Sequence, residues 1–523
     1  MTEVTAEAPP GQSRSLVRPG AASPRHGAVA SPSGGRELEG WSLRPPHRPL
    51  GATPMTAPTP RRALLAVALA AAAAATVPGG RASAAGETPP TRPGPAGARE
   101  AEAAAAAWAA APTVDNRFWY SYAHWRAGTH RGTAARAGDR PGLVIDTPAG
   151  HTEYTDPHTA KKGTWEYAVW TSPVHRSGVP GTEAIASWNA HTPAGTWIQI
   201  ELRATYGSGA TTPWYVMGRW ASGDGDIRRT SVDGQTDGST TVWTDTLAVD
   251  APAKANGVRI AHWQLRLTLH RKPGAAQGPT VWLAGAMVSD VPDRFTVPAS
   301  VPSRTAHELK VPRYSQEVHK GRYPQYDNGG EAWCSPTSSQ MAIEYWGRKP
   351  AAGDLAWVDS RYPDPQVCHA ARSTYDSAYK GCGNWPFNAA YAATYAGLAG
   401  VVTRLRSLAD LEALVRSGIP VITSQSFRTE ELTGAGYGTA GHLMIVVGFT
   451  AAGDVVANDP NSPDDTAVRR VYKRREWENA WLRTKRHNSA GKVASGSGGV
   501  CYLYAPARPS VIQLAALRGV GVL

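Results

Sequence analysis

The chain has 523 residues, 41% apolar and 18% charged, with 54 glycines and 42 prolines. That length supports several domains, each burying its own core. The net charge of +12 favours anionic surfaces, but no Lys/Arg-dense helix or basic-aromatic interleaving is present, which excludes a nucleic-acid reading.

Residues 1–54 are Pro, Gly, Ser and Arg without hydrophobic period. They are expected to be disordered, or to be an over-long start with Met55 as the true beginning. From Met55, Arg61-Arg62 form a positive region, Ala63 to Val77 an apolar run, and Ala82-Ser83-Ala84 a small-residue cleavage site. Residues 55–84 therefore read as a secretory signal peptide, too short in its apolar run to span a membrane comfortably. The arginine pair also resembles a twin-arginine export signal. No later segment reaches the roughly 18 uninterrupted apolar residues of a span, so a soluble exported protein with no membrane span is expected. Residues 85–113, rich in Ala, Pro and Glu, read as a tether.

From 114 to 295 the pattern has period two. TWIQIELRA sets Ile198, Ile200 and Leu202 against Gln199, Glu201 and Arg203, and HWQLRLTLHR alternates Trp263, Leu265, Leu267 and Leu269 with polar residues. Such runs between Gly, Asp, Pro and Ser clusters predict an all-β sandwich, jelly-roll-like. Eleven tryptophans, Trp119 to Trp282, fall here. Trp263 shares the apolar parity and is expected in the core. Trp188, Trp214 and Trp220 lie near loop signals and are the candidates for a carbohydrate or cell-wall ligand. A plain spacer is the alternative.

Beyond about residue 308 helix and strand patterns alternate, and all four cysteines lie here. In GGEAWCSPTSSQMAIEYWG, Pro336 suits a first helical turn and Gly347 a stop. Cys334 thus opens a helix, whose positive end favours thiolate over thiol. A buried or disulfide-bonded cysteine is the rival. Farther on, GHLMIVVGFTAAGDVVANDP predicts a buried β-hairpin with His442 opening one strand and Asp459 closing the other. A carboxylate there could orient the imidazole, although simple pairing about a 451–454 tip leaves Asp459 several residues short of His442. In RSLADLEALVRSGIPVITS, Ser407 caps a helix with Leu408, Leu411, Leu414 and Val415 on one face, and Gly418 ends it.

Together, VPRYSQ, GGEAWCSPTSSQMAIEYWG, SLADLEALVRSGIPVITS and GHLMIVVGF…VVANDP resemble the secreted branch of the double-glycine-leader peptidases, family thirty-nine of the cysteine peptidases. The resemblance covers about 308–506, leaving 507–523 as a tail. It implies an α+β, papain-like domain with Cys334 as nucleophile, His442 as base and Asp459 as its orienter. The family's oxyanion-hole glutamine most resembles Gln316, with Gln325 and Asn328 as rivals across an inserted segment. The implied partner is a peptide or protein substrate, cleaved without a cofactor through a thioester. No GxxxxGK[ST] motif is present, so leader processing coupled to a transporter is not expected. An NlpC-type wall peptidase or amidase, or a non-enzymatic binding protein, are the other readings.

Cys368 and Cys382 bracket HAARSTYDSAYKG. In an exported protein that spacing reads as a disulfide; no paired CxxC spacing supports zinc or another metal. Cys501, in the apolar GVCYLYAP, is expected to be a buried thiol.

Overall fold

The computed structural model describes residues 113–290 and 292–523. The leader, the signal peptide and the tether up to residue 112 lie outside the described residues. The architecture is α+β, and its N-terminal part is all-β apart from two short helical turns.

Two seven-stranded antiparallel sheets make the N-terminal part. The first is centred on Glu183–His191 and Thr280–Asp290, the second on Thr196–Tyr206 and Ile260–Arg271. Their inner faces meet through tryptophan. Trp119 of the first sheet stands edge-on to Trp170 and Trp263 of the second, at centroid separations of 5.8 and 5.4 Å, the edge-to-face arrangement aromatic quadrupoles favour. Trp263 is buried, as its parity predicts.

Two of the three surface candidates are not on the surface. Trp188 and Trp220 are fully buried and stand edge-on to Phe387 of the following domain, at 5.9 and 5.5 Å. Loop signals beside them mark where strands end, and those ends are covered by another part of the chain. Trp214 is half-buried, with Arg203 and Arg266 over its ring, each 4.6 Å from its centroid.

The third sheet, also antiparallel, runs Leu398–Arg404, Val500–Pro506, Val421–Phe427, Thr439–Phe449, Val455–Asn458, Arg469–Tyr472. Ser407 accepts a hydrogen bond from Asp410 N and starts the helix Leu408–Arg416, whose predicted apolar face is buried; Gly418 follows at φ 88°.

The outer edge of Leu398–Arg404 is closed by side chains of the sandwich. Outward-facing backbone groups on an edge strand recur every second residue, and here four of them find a partner. Arg140 donates to Leu398 O (2.8 Å), Asn189 donates to Gly400 O (2.7 Å) and accepts from Gly400 N (3.2 Å), and Ser187 accepts from Val402 N (3.0 Å). One continuous hydrophobic cluster runs from the sandwich tryptophans through Phe387 to Cys334 and Leu443. The sandwich shares its core with the part of the chain that follows it.

Candidate active site

The helix Cys334–Tyr345 is buried along its first ten residues, although five of them are Ser, Thr or Gln. Small hydroxyl side chains let it approach the sheet closely, and its serines find partners there. Ser338 donates to Leu443 O at 3.0 Å, while Ser335 and Ser339 pair with the hydroxyls of Tyr502 and Tyr504, each at 2.9 Å. These bonds dock the helix against the strands Thr439–Phe449 and Val500–Pro506. The entry turn is equally tight. Gly329 has φ 109°, and a Cβ on Gly330 would fall 2.2 Å from Gln316 O.

Cys334 is the first helical residue, and Trp333 before it supplies no side-chain cap. The first N–H groups are therefore left to face the sulfur region, where they favour negative charge. Of the three residues brought together here, Cys334 retains 7% exposure, His442 2% and Asp459 none.

His442 donates from Nε2 to Asp459 Oδ1 at 2.9 Å, and Cys334 lies near enough to favour the charged ring. With Nε2 committed to the carboxylate, Nδ1 is the nitrogen left for sulfur. Hairpin pairing does bring the two residues together. A bulge between Val446 and Gly448 shifts the register so that Ile445 opposes Asn458. Asp459 then stands two residues from His442, a diagonal neighbour within reach of both side chains.

Burial opposes a charged imidazole, but Cys334 and Asp459 outweigh it and raise His442 to about 10. Asp459 shows the converse: burial pushes it up, yet His442 and Tyr472 hold it below the usual carboxylate value. Its acceptor capacity is well used. Tyr472 donates at 2.6 Å, Tyr437 at 3.0 Å and Asn461 N at 3.0 Å. The sequence reading missed Tyr437 and Tyr472; the only local signal was a tyrosine five residues before His442 and another closing a short strand.

Gln316 is buried beside the cysteine turn, its backbone N–H donating to Pro460 O at 2.9 Å. Its Nε2 donates to Glu331 O at 2.8 Å and to Glu317 Oε1 at 3.2 Å, so both amide hydrogens are engaged. The rivals Gln325 and Asn328 are exposed.

The predicted Cys368–Cys382 disulfide is absent: all four cysteines are free and buried, Cys501 as expected. Each of the two thiols has its own partner within one small core cluster. Cys382 donates to Ala371 O at 3.4 Å, and Cys368 lies 3.6 Å from His319 Nδ1. The latter is not a second reactive pair. Burial pushes Cys368 up to about 12 and His319 down to about 4, so both stay neutral, with no carboxylate bonded to the ring. Dithiothreitol is accordingly expected to leave the melting temperature unchanged, and alkylation after denaturation without reductant to find four thiols. A disulfide would instead make reduction cost about 3 kcal/mol.

Residues 115–289 match the family described as the peptidase C39 N-terminal domain, and residues 308–489 match the peptidase C39 like family. No curated protein and no solved structure matches the chain. No helix among the described residues is long and apolar enough to cross a membrane. With a peptidase-family match on the part that holds Cys334, His442 and Asp459, and its partner domain's match on the strand-rich part before it, the chain belongs to the C39-like peptidases.

Proposed function

We propose that the chain is an exported cysteine peptidase of papain-like fold that hydrolyses peptide bonds through Cys334, His442 and Asp459. The observation that carries this reading is the buried imidazole of His442, held between the Cys334 sulfur and the Asp459 carboxylate. In the reaction the sulfur of Cys334 attacks the carbonyl carbon, and the oxyanion that forms is met by the Cys334 backbone N–H at the helix start. The C–N bond breaks as His442 protonates the departing amine, leaving a thioester. Water, deprotonated by His442, then releases the acid and restores the thiol. Gln316 would become a second oxyanion donor only on releasing Glu331 O or Glu317. Export rests on the signal-like segment 55–84.

The test is a mixture of N-acetylated peptides incubated with the wild-type protein and with Cys334→Ala, new amino termini being read by mass spectrometry. Wild type should generate new termini, the variant none, and iodoacetamide should abolish cleavage in step with modification of Cys334. Cleavage that survives in the variant, or no cleavage by the wild type, refutes the reading.

A further inference from the structure

Immediately beside His442 lies a cavity of about 150 Å³ whose walls come from both domains. The sheet contributes Gln425 and Gly441, and the segment after Cys382 contributes Trp385. Residues Ser495 to Ser497 form another side, and the sandwich supplies the tip of the hairpin joining Thr240–Trp243 to Thr246–Val249.

That tip is held in an unusual conformation. Thr244 has φ 50°, a left-handed value that β-branched residues adopt rarely, and then mostly where surrounding structure imposes it. Its N–H donates to Asp233 Oδ1 at 2.9 Å. Asp245 follows, buried, accepting from Trp385 N at 2.9 Å and from Thr246 Oγ1 at 3.0 Å. The sandwich thus places a carboxylate in a cavity that begins one residue from the catalytic histidine.

Two further polar groups on these walls are buried and able to accept a hydrogen bond. Gln425, fully buried, sits opposite His442 in the strand register, so the two side chains share a face. Its Nε2 donates to Thr423 Oγ1 at 3.2 Å, and its Oε1 has no partner. Thr423 Oγ1 itself donates to Met444 O, so it can only accept from Gln425, which fixes the amide's orientation. Ser426 Oγ, also lining the cavity and 3% exposed, is likewise without a partner. An unpaired amide oxygen, an unpaired hydroxyl and a buried carboxylate suit a guest that brings donors and positive charge. Trp243, Trp385 and Tyr379 line the same space, and aromatic rings suit a cation as well as its alkyl stem. Burial and the neighbouring Asp376 raise Asp245 to about 7, and a cation is the guest that would stabilise its charged form.

The geometry points to a specificity pocket for a basic side chain, lysine or arginine, of a peptide lying across Cys334, with Asp245 of the sandwich and Gln425 of the sheet as the recognising groups. As a substrate subsite it rests on the peptidase reading. The N-terminal domain would then select substrate as well as complete the fold.

Binding can be measured without turnover. Cys334→Ala protein is titrated calorimetrically with N-acetylated, C-amidated peptides differing only in one residue, lysine, arginine or norleucine. The basic peptides should bind at least about tenfold more tightly than the norleucine peptide. Adding Asp245→Asn, which keeps an acceptor for Trp385 N, should remove that preference. Gln425→Leu should reduce it, and circular dichroism should confirm that both variants are folded. Equal or tighter binding of norleucine, absence of binding by every peptide, or a preference surviving both variants overturns the proposal. Tight lysine-dependent binding by a wild type that never cuts would retire the peptidase reading and leave the pocket in place.

Discussion

Replacing Cys334 with alanine is expected to lower the protonation midpoint of His442 by about 1–3 units, the usual reach of a neighbouring charge. In the intact protein burial works against the imidazolium, and the strongest opposing influence is Cys334, followed by Asp459. Without sulfur, Asp459 must hold the proton alone. The consequence for stability has a definite sign. A histidine whose folded value is raised to about 10 contributes stability fully below its unfolded value of about 6.5. That contribution is lost as pH rises through the folded value. Urea midpoints of the wild type should therefore decline between pH 7 and 10 relative to the alanine variant, whose own decline from this source comes earlier. The imidazole carbon-bound protons, followed by NMR, report the midpoint directly. If His442 titrates at the same pH in both proteins, the sulfur carries no charge felt by the ring, and the ion-pair account of the site fails.

Asp459→Ala should be the most damaging change to the fold among the three. The carboxylate is fully buried and receives His442, Tyr472, Tyr437 and the N–H of Asn461. Its removal strands these donors, one of them charged, and breaking a buried pair in this way costs about 3–5 kcal/mol. Asp459→Asn retains one acceptor oxygen, so it should unfold at an intermediate denaturant concentration. Turnover should nonetheless fall by about 10²-fold or more in the asparagine protein, the scale of a lost general acid–base contribution, because the ring is no longer held as imidazolium. Denaturation midpoints and kcat, measured on the same preparations, separate the two effects. An asparagine variant with wild-type kcat would show that Asp459 is structural alone.

Much of this centre is legible in one dimension, because local chemistry writes it there. Pro336 and Gly347 bound the cysteine helix, and Ser407 and Gly418 bound the next. A fully apolar run marks the His442 strand as buried on both faces. What escapes is whatever depends on a second segment. The bulge at Val446–Gly448 brings Asp459 within reach of His442, and no residue type announces it. Ser335, Ser338 and Ser339 are polar yet turn inward, because the tyrosines and carbonyl that receive them arrive from the sheet. Trp188 and Trp220 carry loop-like neighbours, and alternation tells which face of a strand is apolar without telling what covers it. Cys368 and Cys382 do fall in one cluster, but His319 and Ala371 O occupy their sulfurs. Spacing alone could not reveal that.

The closure of the Leu398–Arg404 edge by Arg140, Ser187 and Asn189 bears on how such a gene can change. A peptidase half inherited without its sandwich would present an open strand to every other copy of itself, a template for sheet-to-sheet association. A sandwich exchanged for an unrelated one would have to rebuild the same three side chains at the same spacing. Recombination at the boundary between the halves would therefore expose this edge unless the incoming partner covered it.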